Sequence, residues 1–125
     1  MAPQTFTLSE ARALLPDVRR TADRVIGVRA DLIELTTDLA RRSPSHLGGV
    51  PEAKALEAQL DDLLSWFRTR GIEVKGWAPL LLDFPGVIDD EPALLCWLEG
   101  EGDIAWYHRP EHGFAGRRRL PESLG

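Results

Sequence analysis

The chain has 125 residues, with 15 Lys and Arg against 20 Asp and Glu and a net charge of −5. That length is enough for a domain with its own core, and 43% hydrophobic residues exclude wholesale disorder. A single cysteine excludes a disulfide framework and a four-cysteine metal site, and no run approaches the roughly 20 apolar residues that span a membrane.

Thr7-Leu8-Ser9-Glu10 fits a capping box, in which the Thr7 hydroxyl and the Glu10 carboxylate each satisfy an orphan backbone donor. Apolar residues then recur at Ala11, Leu14, Leu15, Val18, Ala22, Val25, Val28, Leu32, Leu35 and Leu39, mostly three or four apart, which marks one helical face. Pro16 is expected to kink this helix or to end a short first segment. Residues 43–50 form a connector, and Pro51 suits the first position of a second helix. The second stripe runs through Ala53, Leu56, Leu60, Leu63, Leu64 and Phe67 and stops at Gly71. Two helices joined by a short link predict an antiparallel αα-hairpin over 7–70.

After Gly71 the period changes to that of strands. Residues 71–76 are short and strand-like. Residues 80–84 form a strand stopped by Pro85-Gly86, and 87–92 form an acidic loop. Residues 93–99 and 103–109 make a hairpin around the turn Gly100-Glu101-Gly102. The expected fold is therefore α+β, a single domain over 1–125. The N-terminal αα-hairpin packs on a small three- to four-stranded antiparallel sheet, with a Gly/Arg-rich tail.

A three-residue turn pairs Glu99 with Asp103, so Trp97 faces Ala105, Leu95 faces Tyr107 and Leu94 faces His108. Alternation then puts Leu94, Cys96, Leu98, Ile104, Trp106 and His108 on one face, the expected core. Leu95, Trp97 and Tyr107 fall on the other. That patch is either an interface for a partner or ligand, or is covered by the Phe114 tail or by 71–76. Together with an overhang of the longer first helix, it motivates a homodimer.

If the strand ending at Asp83 pairs antiparallel with 93–99, Asp83 lands near Leu94. Asp83, His108, His112 and Arg117 then gather at one end of the sheet. Asp83 with His108 reads as a structural buried pair, as a general base with its orienting carboxylate, or as part of a ligand site. Asp83, His108 and His112 are the residues available for a divalent metal, although Pro110 keeps the two histidines off a common helix. Gly113 and Gly116 allow backbone N–H groups to converge on an anion beside the Arg117 fork. Cys96, mid-strand on the core face, reads as an inert small hydrophobe. Glu101, at the hairpin tip, lies about 23 Å from His108 at roughly 3.3 Å per residue.

The charge is uneven. Residues 105–125 hold four Arg and two Glu, a net of +2, whereas residues 1–104 carry a net of −7. The acidic body argues against nucleic-acid binding, which needs a basic surface to release counterions. Met1-Ala2-Pro3-Gln4 lacks the basic start and apolar core of a leader, so a cytoplasmic location is expected.

The blocks Phe6-Thr7-Leu8-Ser9-Glu10-Ala11, Leu14-Leu15-Pro16, Asp83-Phe84-Pro85, Leu95-Cys96-Trp97, Gly100-Glu101, His108 and Gly113-Phe114-Ala115-Gly116-Arg117 resemble a bacterial family catalogued as domain of unknown function 2203. The resemblance spans nearly the whole chain, and the last two blocks are its most specific. The family often has Trp immediately before the histidine, where this chain has Tyr107, and Arg119 stands where a Pro is expected. The resemblance implies no activity, cofactor or substrate. Two functions follow from the residues: a non-enzymatic dimeric binding or assembly module without a cofactor, or a small ligand-, anion- or metal-binding protein or enzyme with its site around Asp83, His108, His112 and Arg117.

Overall fold

The first helix, α1 (Leu8–Ala40), begins on the predicted capping box. The Thr7 N–H donates to Glu10 Oε1 at 2.9 Å, and the Glu10 N–H donates to Thr7 Oγ1 at 3.0 Å. Replacing Thr7 by Ala is expected to cost about 1 kcal/mol, read as a lower urea midpoint at unchanged slope. An unchanged midpoint would show that solvent serves these donors equally well. The helix runs through Pro16 without ending, contrary to one of the two expectations for that residue. It closes at Arg42, which takes the left-handed conformation (φ 55°), while the Ser43 N–H reaches back to the Asp38 carbonyl. The second helix, α2 (Val50–Arg68), ends at Gly71 (φ 82°), with the Ile72 N–H on the Phe67 carbonyl. Both predicted stripes point inward: Ala11, Leu15, Val18, Ala22, Val25 and Leu35 are buried on α1, and Ala53, Leu60, Leu63, Leu64 and Phe67 on α2.

Five antiparallel strands follow, in the order β1 (Glu73–Trp77), β2 (Leu80–Ile88), β3 (Glu91–Leu98), β4 (Trp106–His108) and β5 (Arg118–Arg119), and each pairs with the next. The class is α+β, with five strands rather than three or four. The computed structural model describes residues 4–124, so Met1–Pro3, on which the expectation of a chain without a leader partly rests, lie outside the described residues. The chain divides into two compact units. One holds the chain up to Val18 and from Phe67 onward, and the other is Arg19–Trp66. No helix among the described residues is long and apolar enough to cross a membrane.

Two features of β2 differ from expectation. Pro85 and Gly86 lie inside the strand, opposite Leu94 and Ala93. Beyond Asp83, β2 has no β1 partner on its outer edge. The missing Pro85 N–H therefore falls on a free edge, and the Pro85 carbonyl there accepts the Phe6 N–H at 2.7 Å. The acidic loop is instead a two-residue hairpin turn. Asp89 (φ 55°) and Asp90 (φ 61°) both sit left-handed between the paired residues Ile88 and Glu91.

Face assignment follows from this register. Leu82, Phe84, Leu95 and Trp97 share one face of the sheet, all buried. Phe6 meets Phe84 edge-on there, with ring centroids 5.4 Å apart. Of the two readings of the Leu95, Trp97 and Tyr107 patch, burial within the chain itself holds for Leu95 and Trp97, which are core residues on the face that Phe6 meets, and Tyr107 is half-buried. The face expected to be core is buried as well at Leu94, Cys96 and His108, but it carries the polar cluster described next.

Candidate functional site

Two ladders, β2–β3 and β3–β4, place one row of side chains on a single face. Asp83 of β2 pairs with Cys96 of β3, and Cys96 pairs with Trp106 of β4. His108 sits one step along, opposite Leu94 as the sequence predicted. Asp83 lies two residues from its expected position beside Leu94, because the tight turn at Asp89-Asp90 fixes the register. The shift brings Cys96 into the cluster.

Asp83, Cys96 and His108 are all buried, and each offers a ligand atom within 4.8 Å of the others. His108 Nε2 lies 3.0 Å from Asp83 Oδ2, and His108 Nδ1 lies 2.9 Å from the Arg109 carbonyl. A carbonyl only accepts, so Nδ1 carries a proton and donates it. Nε2 is then an acceptor in the neutral ring, and its contact with a carboxyl oxygen requires one shared proton between the two side chains. Asp83 Oδ1 has no hydrogen-bond partner. The Cys96 thiol is near enough to lower the carboxyl pKa slightly, but not in hydrogen-bonding geometry with Oδ1. Burial dominates and pushes the Asp83 pKa above the usual carboxylate range, against the pull of His108 and of the Lys75 ammonium 3.9 Å from Oδ2.

Cys96 is flanked on its other side by Arg117, whose Nη1 lies 3.9 Å from Sγ. Burial and the neighbouring Asp83 push the thiol pKa up to about 11 despite that guanidinium. An unfolded thiol ionises near 9, so folding keeps a proton that the unfolded chain loses. This contribution to stability is present below pH 9 and is lost as pH rises to about 11. The loss is about 2 kcal/mol at 1.36 kcal/mol per pH unit. Urea unfolding at pH 8 and pH 11 should show this fall in the wild type and lack it in Cys96→Ala; equal falls in both would assign it to other groups.

Arg117 spends its fork on Glu101, with Nη2 to Oε2 at 2.8 Å and Nη1 to Oε1 at 3.2 Å. The Arg117 fork, expected to offer an anion a bidentate partner, is taken here by a carboxylate of the chain itself. Glu101 also accepts the Leu98 N–H at 2.8 Å, which folds the hairpin tip back toward Cys96 rather than far along an extended strand. The guanidinium lies 4.6 Å from the ring centroids of both Trp106 and Phe114. Gly113 (φ 65°) opens the short 3₁₀ helix Phe114–Gly116. Gly116 lies against His112, where a Cβ would come within 2.6 Å of the imidazole-bearing carbon. His112 is exposed and does not join the cluster, so of Asp83, His108 and His112, the residues expected to be available for a metal, the structure brings together Asp83 and His108, with Cys96 beside them.

Sequence reasoning missed Cys96, Glu101 and Lys75. Cys96 already shared a face with His108 in the predicted hairpin, but the two-residue turn that puts Asp83 opposite it carries no glycine to announce it. Asp83, Cys96, Glu101, His108 and Arg117 each come from a different one of the sequence blocks that carried the resemblance.

The chain belongs to the DUF2203 family. The family model, described as an uncharacterized conserved protein, matches residues 4–120. No curated protein and no solved structure matches the chain. DUF2203 membership covers the whole cluster and leaves its chemistry to be read from the geometry.

Proposed function

We propose that this protein binds one divalent transition-metal ion, of the zinc or ferrous-iron class, through Asp83, Cys96 and His108. The observation that carries this reading is the convergence of carboxylate oxygen, thiol sulfur and imidazole nitrogen, from three neighbouring strands, within 4.8 Å in a buried place. Sulfur and imidazole donors favour zinc and iron over magnesium or calcium. The Arg109 carbonyl on Nδ1 turns His108 as a metal-bound histidine is usually turned, with Nε2 as the ligand atom. Asp83 Oδ1 supplies an unused acceptor.

Charge supports the same reading. Carboxylate, thiolate and neutral imidazole together carry two negative charges, which a divalent ion neutralises. A lone charge in that place is costly. Loading displaces the thiol proton and the proton shared by Asp83 and His108, so affinity rises with pH. Three protein ligands leave one tetrahedral position open, as in catalytic zinc sites. Without metal, the high pKa of Cys96 is the opposite of an activated nucleophile. The dimeric assembly role loses its main support, because Leu95 and Trp97 are buried in this chain's own core.

The test is native mass spectrometry of protein purified without chelator, followed by cobalt(II) titration. One cobalt per chain is expected, with visible d–d bands and a near-ultraviolet thiolate-to-cobalt band, both lost in Asp83→Asn. A wild type that takes up no cobalt would overturn the proposal, as would a spectrum that persists in Asp83→Asn and His108→Ala. The same mass spectrum decides whether the protein is a homodimer.

A further inference from the structure

We propose that residues 113–117 are a lid over the metal site, latched by Arg117 on Glu101, and that metal enters and leaves when this latch opens. The inference rests on the metal reading and adds how the site is reached. Cys96 has no exposed surface, and Asp83 and His108 have almost none, so an ion needs a path in. Arg117 is the charged group beside the sulfur, and it belongs to a segment held largely by side chains. Its anchors outside the segment are the Glu101 carboxylate and the face of Trp106, while Phe114 of the segment itself stacks on the same guanidinium. No strand ladder runs through residues 109–117, and β5 beyond it is two residues long. The segment can therefore swing without breaking the β2–β3–β4 ladders that hold the ligands.

Gly113 is suited to the hinge. It is left-handed, and nothing lies within 4 Å of where its Cβ would be. The other approach is past Lys75, whose ammonium meets Asp83 Oδ2, the oxygen already committed to His108. On the lid side, the charged group that the structure places against the sulfur is the Arg117 guanidinium, with Nη1 3.9 Å from Sγ.

The test measures cobalt(II) uptake by stopped flow and chelator-driven release in wild type, Glu101→Gln and Arg117→Gln. The two variants remove charges of opposite sign but break the same latch. The lid predicts that both variants speed both uptake and release, by about tenfold, as expected for loss of a charge-assisted bidentate pair. Opposite effects in the two variants would show that only the local field matters, and would overturn the lid. So would unchanged rates in both variants while the wild type binds cobalt normally, or faster exchange in Lys75→Met alone. Thr7→Ala, which weakens the α1 cap and leaves the Arg117–Glu101 latch intact, should exchange at the wild-type rate; if it exchanges as fast as the latch variants, exchange runs through unfolding and the lid is wrong. If Glu101→Gln does not fold, Arg117→Lys keeps the charge and breaks the fork. A wild type that binds no cobalt would refute the metal reading itself, a result distinct from each of these.

Discussion

Replacing His108 by Ala is expected to destabilise the protein by about 3–5 kcal/mol, the usual cost of removing one member of a buried pair. The imidazole is 4% exposed and its carboxyl partner 1% exposed, so water cannot take its place. Asp83→Asn should behave differently. Because Nδ1 is committed to the Arg109 carbonyl, Nε2 of the neutral ring accepts, and the Asn amide can donate to it where the shared proton stood. The pair loses its shared proton but keeps a hydrogen bond. Urea unfolding should therefore show a much smaller loss for Asp83→Asn than for His108→Ala, with metal binding abolished in both. Equal losses would mean that the negative charge of Asp83, and not the hydrogen bond, holds the pair together. The comparison separates a histidine kept for folding from a carboxylate kept for a ligand.

Trp97→Ala is expected to cost about 3–5 kcal/mol as well, but for a different reason: a large buried side chain leaves a cavity that its surroundings fill only in part. Trp97 is 3% exposed, lies opposite Leu82 and donates from Nε1 to the Glu101 carbonyl at 3.1 Å. The substitution should lower the urea midpoint while leaving the mass by light scattering the same as that of the wild type across dilution. A changed mass with unchanged stability would return Trp97 to an interface. Because the lost hydrogen bond anchors the loop that carries Glu101, the variant should also loosen the Arg117 latch, visible as faster cobalt exchange.

Much of this protein is legible in its amino-acid sequence. The helix stripes, the capping box at Thr7 and Glu10, the stop at Gly71 and the pairing of Leu94 with His108 all depend on local rules. Those rules are the helical period, caps, backbone handedness and the two-residue alternation of strands. Local rules fail where the partner of an atom lies far away in sequence. Pro85 reads as a strand breaker, yet its missing donor falls on a free edge where Phe6 supplies the pairing. Asp89-Asp90 reads as an acidic loop, yet both residues are left-handed and the turn is as short as a hairpin allows.

That turn governs the site. Its length sets the register of β2 on β3, and the register puts Asp83 opposite Cys96 and not beside Leu94. The choice between the two faces of the sheet is likewise tertiary. Both faces of β3 are apolar, so alternation alone does not say which one receives Phe6 and which lies near the Arg117 tail. Local sequence specifies the helices, most of the strands and most of the residues with chemistry to offer, but not the order of the strands in the sheet. Which of those residues meet is a matter of the folded chain, because the approach of Asp83, Cys96, His108, Glu101 and Arg117 depends on turns and ladders that no single stretch of the chain contains.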